Sequence, residues 1–384
     1  MTQSLPESFA EFGEARQQGF LRVKEIKEQG GKVAGVFCTF TPLEILDAAG
    51  ITPVSLCGMS DETIPAAEAH LPKNLCPLIK SSYGFAVSDK CPYTYFSDLI
   101  VGETTCDGKK KMYELLGKLK DTYILHLPQG VGGEDALEFW TRELRRFIAY
   151  LEDRFQVSIT DEALRQAARV RNEERGARLE LTHLQALTPP PAFGYDIYKT
   201  LEGLGFCFDL REAIHKVRAL TAQLREDYDA GKRPVSPAAK RILVTGCPIG
   251  GVLDKTVRAL EEKGGVAVCF ENCSGIKAMH QMVDTEAEDI VTAIARRYLS
   301  IGCAVMTPDS RRMALLPELL KTFQVDGVVE IDLQACTPYC VESFWTRQAA
   351  EAAGVPYLAL ETDYSQADGG QLSTRLEAFL EILE

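Results

Sequence analysis

The chain has 384 residues, a formal net charge of -13 and a pI near 5.1, so it is long enough for two or three α/β units. An acidic chain without a concentrated basic face is a poor partner for nucleic acid or an anionic membrane. The N-terminal stretch carries acids and lacks an apolar block, and no segment approaches the ~20 apolar residues of a spanning helix. These features predict an acidic cytoplasmic protein.

Residues 33 to 127 alternate between short apolar runs and amphipathic stretches, which is typical of a parallel sheet. The predicted strands are VAGVF, ITPVSL, DLIVGE and DTYILHL. Thr41 and Glu44 stand at capping-box spacing, with Pro42 at the first position of the predicted helix. We predict an N-terminal α/β domain over residues 1–133.

The middle of the chain changes to long, charged, helical stretches, broken by three consecutive prolines at residues 189–191. We predict a helical insertion over residues 134–238 whose charged positions are mostly solvated. A second α/β domain follows over residues 239–384, with predicted strands RILVTG, VAVCF, CAVMT, DGVVEIDL and YLALET. The fold class is therefore α/β, with two doubly wound, Rossmann-like parallel sheets whose ligands bind at the carboxyl ends of strands.

Twelve cysteines in a chain without an export signal indicate metal ligation or redox chemistry, because cytosolic disulfides are rare. Any single cysteine can equally be a small core residue, but that explanation is weak for all twelve. Five of them follow predicted strands, namely Cys38, Cys106, Cys247, Cys273 and Cys336. Cys76 precedes a predicted helix, where the positive end of the helix favours a thiolate.

The spacing of these thiols favours an iron-sulfur cluster over zinc. Zinc sites usually repeat a C-x2-C pair, which this chain lacks, and none of the five histidines stands in a metal-binding spacing. Thiolates delivered by separate loops suit a bulky cluster that needs ligands from several directions. A structural zinc protein remains the competing interpretation.

Two further motifs are weaker. The glycine-rich turn at residues 246–251 matches no phosphate-binding loop, and it either allows close approach of the backbone to a cluster or is only a tight corner. Lys109, Lys110 and Lys111 would offset cluster charge or dock an acidic partner, although a charge run is usually solvated surface.

Several segments together resemble the 2-hydroxyacyl-CoA dehydratase and benzoyl-CoA reductase family. They are GVFCTFTPLEILDAAGITPVSLC, LPKNLCPLIKSSYG, DLIVGETTCDGKKKMYE, VDGVVEIDLQACTPYCVES and ALETDYSQADGGQLSTRLEAFLEIL. Within this family NLCPLIKSSYGF, KCPYTYFSDLIVGETTCDGKKKMYE and TGCPIGG are similar to the double-cubane cluster branch. The resemblance implies two α/β domains, a four-iron cubane held by three cysteines, and electrons from a separate ATP-hydrolysing iron-sulfur activator. In the double-cubane branch it implies two cubanes joined by a sulfide.

Cys76, Cys106 and Cys336 match the three-cysteine pattern of the family. For a second cubane, position after a strand selects Cys38, Cys247 and Cys273. The reserves are Cys91 and Cys303, and the expected core cysteines are Cys57, Cys207, Cys269 and Cys340.

The expected function is ATP-driven, low-potential reduction of a small molecule by a homodimer. Four polar residues neighbour candidate ligands in sequence and are expected near the site: Glu44, Glu103, Lys80 and Tyr83. Glu44 is equally explained as the capping partner of Thr41. Two other functions stay open: a single-cubane subunit of a radical 2-hydroxyacyl-CoA dehydratase, and a non-catalytic electron carrier or redox sensor.

Overall fold

The computed structural model describes residues 8–383 and contains two parallel sheets. The first sheet has the order β2-β1-β3-β4, built from Lys32–Val36 (β1), Ile51–Ser55 (β2), Leu99–Glu103 (β3) and Thr122–Leu125 (β4). The second has the order β6-β5-β7-β8, built from Lys240–Gly246 (β5), Gly265–Glu271 (β6), Gly327–Leu333 (β7) and Tyr357–Thr362 (β8). The predicted α/β fold with two doubly wound parallel sheets is confirmed.

Helices surround and connect the sheets. In the first half they are Ser8–Glu28 (α1), Leu43–Ala48 (α2), Ile64–Ala67 (α3), Pro77–Val87 (α4), Pro92–Phe96 (α5) and Asp107–Leu116 (α6). Between the sheets lie Gly133–Phe155 (α7), Asp161–His183 (α8), Gly194–Leu204 (α9) and Leu210–Asp229 (α10). In the second half they are Ala259–Glu262 (α11), Ile290–Leu299 (α12), Ser310–Thr322 (α13), Thr337–Ala352 (α14) and Gly369–Glu381 (α15). Among residues 8–383, no helix is both long and apolar enough to cross a bilayer.

The central strands are covered on both faces. Every residue of β3, β6 and β7 is buried, as expected for parallel strands with helices on each side. One continuous apolar core runs from the first sheet to the second and includes Val33, Ala34, Val244 and Ile331. The two halves are therefore packed together, and their strand ends keep a fixed relation.

Two local predictions are wrong. The CAVMT segment is not a strand, because the chain leaves α12 at Leu299 and runs through turns until α13 begins at Ser310. Short apolar runs of this kind do not by themselves distinguish strands from buried loops. The capping box is also absent: α2 has Pro42 at its N-cap without a side-chain cap, and Thr41 instead donates to Glu103.

Candidate functional site

Four cysteines follow the four strands at the centres of the sheets. Cys38 follows β1, Cys106 follows β3, Cys247 follows β5 and Cys336 follows β7. In each sheet these two strands lie side by side at the centre. The chain runs from the first of them to the edge strand on one side of the sheet, and from the second to the edge strand on the other side. Such a reversal opens a crevice at the carboxyl ends of the two central strands. The sheet topology thus brings strand-end thiols from both halves toward a common region.

A cavity of about 960 Å³ lies at these strand ends. Its lining comes from both halves of the chain and from the loop between α12 and α13. The thiol-bearing residues of the lining are Cys38, Cys76, Cys106, Cys273, Cys303 and Cys336. All twelve cysteines are free of disulfide bonds.

The first set of neighbouring thiols, the Cys336 group, consists of Cys76, Cys247 and Cys336. The thiol of Cys336 lies within hydrogen-bonding reach of the other two. Cys76 and Cys336 occupy the N-caps of α4 and α14, each followed at N1 or N2 by proline. The hydrogen bond to Cys336, with burial, raises the pKa of Cys76, and burial raises that of Cys247. A raised pKa favours the protonated thiol, so binding of a metal by these residues would release protons.

The second set, the Cys38 group, consists of Cys38, Cys273 and Cys303. Burial raises the pKa of the Cys38 thiol, and the neighbouring charges that act on it include Lys109, Cys273 and Cys303. Burial likewise raises the pKa of Cys273, against the influence of Lys277. Each group takes one cysteine from the first half of the chain and two from the second half.

The family-pattern ligand Cys106 also lines the cavity, at the N-cap of α6. The hydrogen bonds of the Cys336 thiol are made with Cys76 and Cys247, and Cys106 takes no part in them. The reserve Cys303 lies in the Cys38 group, whereas the other reserve, Cys91, caps α5 by accepting from the backbone NH of Thr94.

The four expected core cysteines lie outside the cavity lining. Cys57 donates to Phe37 O at 3.1 Å and Cys207 to Gly203 O at 3.7 Å. Cys269 is buried within β6, and Cys340 is half-buried on α14.

Three of the four polar candidates make contacts away from the cavity. Glu44 pairs with Arg175 on α8 and accepts from Tyr298 on α12 at 2.7 Å. Lys80 pairs with Glu68 at 2.9 Å, and Tyr83 Oη lies 2.8 Å from His70 Nδ1. None of these three candidates lines the cavity.

Glu103 is the polar candidate whose charge acts on the Cys38 thiol. It ends β3, is fully buried and accepts from Thr41, and the next two residues of the chain line the cavity. Burial raises the pKa of its carboxyl to about 7, although Lys109 and the Thr41 hydrogen bond act in the opposite direction. Its Oε2 has no hydrogen-bond partner among the described residues.

Sequence reasoning missed several residues that surround the thiols. Lys277 is fully buried and donates to Tyr339 Oη at 2.5 Å, and that oxygen lies 3.7 Å from Cys303 Sγ. Tyr364 is buried, and burial raises the pKa of its hydroxyl, with a further contribution from the nearby thiols of Cys76 and Cys247. Lys277 and Tyr364 lack a distinctive sequence signal because their position depends on long-range packing. Tyr339, in contrast, stands three residues after Cys336 in the helix that this cysteine caps. Its proximity to a candidate ligand in the sequence could have predicted its position near the thiols.

The residues fit an iron-sulfur group better than a lone metal ion. Within residues 8–383, no three His, Cys, Asp or Glu side chains converge to hold one ion. A cubane takes thiolates from several directions, and six cysteines on separate loops and helix ends line this cavity. The buried hydroxyls of Tyr113 and Tyr364 also lack a hydrogen-bond partner in the described structure, although neither residue lines the cavity.

Comparisons with known proteins identify the family. The family model described as 2-hydroxyglutaryl-CoA dehydratase, D-component, matches residues 38–383. The chain is 49% identical over 380 residues to the Escherichia coli K12 protein named "Putative dehydratase subunit YjiM", covering 99% of this chain and 98% of that protein. It is 24% identical to the (R)-phenyllactyl-CoA dehydratase beta subunit of Clostridium sporogenes, covering 94% of each. It is 22% identical to a benzoyl-CoA reductase subunit of Thauera aromatica, covering 90% of this chain and 89% of that protein. The chain therefore belongs to the 2-hydroxyglutaryl-CoA dehydratase D-component family.

Proposed function

We propose that this protein is a double-cubane iron-sulfur reductase, which reduces a small molecule with electrons from a separate ATP-hydrolysing activator. The observation that carries the proposal is a pair of neighbouring thiol groups, the Cys336 group and the Cys38 group, of which every member except Cys247 lines one cavity. Six thiols in two triads suit two four-iron cubanes joined by a sulfide. The resemblance to the double-cubane branch supports the same assignment. When bound, such a cluster supplies low-potential electrons to the substrate.

The protein's own contribution is to hold and shield this group. Thiols at strand ends and helix N-caps are fixed by the sheets, so their spacing is set before the cluster binds. Apolar side chains of the lining, including Leu78, Ile79 and Met306, exclude water from the thiols. Cys106 lines the same cavity, and the resemblance to the family keeps it a further candidate ligand beside the two triads.

Other parts of the proposal follow from the same chemistry. Twelve cysteines without a disulfide suit a reducing, cytoplasmic compartment. Assembly as a homodimer is proposed from the resemblance to the double-cubane branch. Light scattering of the purified protein tests the dimer directly, and a mass equal to one chain would contradict it.

The principal experiment counts iron and sulfide per chain after anaerobic purification. The wild-type protein is expected to hold about eight iron atoms, as two cubanes require. Cys247→Ser and Cys336→Ser should each lose a large part of this iron because they remove thiols from one triad. Cys207→Ser, which lies away from the cavity and keeps a donor for Gly203 O, is the matched control. A full iron content in both triad variants would overturn the ligand assignment.

A dehydratase subunit with one cubane is the second candidate function, favoured by the relatives whose names describe dehydratase subunits. It predicts about four iron atoms per chain and binding of a coenzyme A thioester. Calorimetry with lactoyl-CoA separates the two candidates, since only the dehydratase needs to bind the thioester. Reversible reduction without turnover of an added substrate would instead indicate an electron carrier or redox sensor.

A further inference from the structure

The two thiol groups lie in different electrostatic surroundings. Lys277 is fully buried beside the Cys38 group, and its ammonium donates to Tyr339 Oη at 2.5 Å. The same hydroxyl oxygen lies 3.7 Å from Cys303 Sγ. The Tyr339 hydroxyl therefore lies between the Lys277 ammonium and the Cys303 thiol.

A buried carboxylate, Glu271, lies beside Lys277 and offsets part of its charge. Glu271 Oε1 lies 3.6 Å from the ammonium and has no hydrogen-bond partner among the described residues. Its other oxygen, Oε2, accepts from buried Arg312 at 3.0 Å. Arg312 also pairs with Glu330 and Glu342, so these carboxylates are held by the arginine.

A second buried lysine reaches the same triad from the other half of the chain. Lys109 is 8% exposed, and its ammonium donates to Phe37 O at 3.1 Å, in the residue directly before Cys38. Its neighbours Lys110 and Lys111 instead form exposed ion pairs with Asp107 and Glu114. Of the three consecutive lysines, only Lys109 is buried, and Lys110 also lines the cavity.

Among the described residues, the charges that act most strongly on the Cys336 group include a carboxylate and no cation, whereas those on the Cys38 group include Lys109, Lys277 and the carboxyl group of Glu103. The Cys247 thiol contacts Asp332 Oδ1 at 3.8 Å. The charges that act most strongly on these three thiols are one another and Asp332. An electron added near Cys38 therefore has two buried ammonium groups beside it, and one added on the Cys336 side has none among the described residues. Buried charges interact strongly because solvent does not screen them.

We propose that Lys109 and Lys277 make the Cys38 side of the cavity the first electron acceptor, leaving the Cys336 side for the second electron. This inference rests on the proposed double-cubane function. Each step transfers one electron from an external low-potential donor, and neither step forms or breaks a bond. The lysines are positioning residues, since they stabilise added negative charge without contacting the substrate.

The test is an anaerobic redox titration of the iron-loaded protein with titanium(III) citrate, followed by electron paramagnetic resonance. The wild-type protein should show two one-electron steps at different potentials. Lys277→Met and Lys109→Gln should each lower the higher potential by at least a tenfold change in the reduction equilibrium, or about 59 mV. Lys109→Gln keeps an amide donor for Phe37 O and so guards against a folding defect. Lys111→Met, which removes an exposed charge from the same helix, should leave both potentials unchanged.

The outcomes separate the inference from the function on which it rests. A full iron content with unchanged potentials in both lysine variants would overturn the inference and leave the double cubane intact. A larger shift of the lower potential would also overturn it, because the lysines would then act on the other side. About four iron atoms in the wild-type protein would refute the proposed function itself.

Discussion

At the scale of single residues, Glu44 shows how burial decides between two interpretations. Its position at the end of the TPLE segment suggested either a site residue or a helix cap. The structure shows it fully buried, paired with Arg175 on α8 and accepting from Tyr298 on α12. It joins the first sheet region to helices that lie far away in sequence. We therefore interpret Glu44 as a structural residue that holds α2 in place behind Cys38.

Replacing Glu44 by glutamine is expected to lower the free energy of unfolding by about 3 kcal/mol, because Arg175 would be left buried without its counter-charge. Urea unfolding at pH 7 measures the change. Glu62→Gln is the control, since Glu62 and Lys90 form an exposed pair that contributes little. Equal loss of stability in the two variants would contradict the structural role.

The same pair predicts a dependence of stability on pH. Burial tends to raise the pKa of Glu44, but Arg175, Arg297 and hydrogen bonds from Arg175 and Tyr298 lower it to about 2 from its ordinary value of 4.5. The unfolded chain therefore takes up a proton first as the pH falls. The stabilisation is complete above pH 4.5 and is lost between pH 4.5 and about 2. Glu44→Gln should show a weaker decline in stability than the wild-type protein over this range.

At the scale of elements, the corner after β5 explains the glycine-rich turn. Gly246 has φ of +104°, and a Cβ atom added there would lie 2.4 Å from Ile331 O on β7. The close approach is thus between neighbouring strands, directly before Cys247 and close to the strand that leads to Cys336. The sequence suggested either a close approach to a cluster or a tight corner, and the structure shows a tight corner that sets thiol positions.

Gly246→Ala should destabilise the protein by at least about 2 kcal/mol, because the new side chain meets both an unfavourable φ and a backbone oxygen. The midpoint of urea unfolding reports the loss. Since the corner positions Cys247, the variant should also retain less iron when purified anaerobically.

Gly132→Ala provides the comparison for this element. Gly132 has φ of -88° and no heavy atom within 4 Å of an added Cβ. The Gly132→Ala variant should therefore have normal stability and normal iron content. Normal iron content in Gly246→Ala would show that the corner does not control the position of Cys247.

At the scale of the whole molecule, each thiol group connects the two halves of the chain. The Cys336 group contains Cys76 from the first half, and the Cys38 group contains Cys38 from the same half. The other two members of each group come from the second half. A group bound by such triads stabilises the folded state only, because the unfolded chain does not hold these thiols together. The cluster would therefore cross-link an interface that the continuous core already forms.

Removal of iron by a chelator under anaerobic conditions is expected to lower the free energy of unfolding by at least about 3 kcal/mol. Urea titrations of loaded and stripped wild-type protein measure the difference. Cys336→Ser, which lacks one thiol of a triad, should show a smaller effect of the chelator. An unchanged urea midpoint after complete loss of iron would contradict cross-linking by the cluster.

Much of the architecture could be predicted because the sequence records local periodicity. Four strands of the first half and four of the second were recognisable as apolar runs between amphipathic helices, and their cysteines fell at strand ends. CAVMT carried the same apolar signal but lies in a loop, since a short buried segment has the same composition in either form. Position after strands was therefore sufficient to indicate a thiol-lined crevice, and the family resemblance indicated which cluster to expect there.

The tertiary structure decided how the thiols are grouped and what surrounds them. Cys303 joins the Cys38 group through a loop that the sequence pattern wrongly predicted as a strand, and Cys247 contacts Cys336 although the two lie far apart in the chain. The inward orientation of Lys109 and Lys277 likewise depends on packing between distant segments. Sequence pattern determines which residues share a face of a local element. Only the packing of the two sheets determines which strand ends, and therefore which charges and thiols, meet across the cavity.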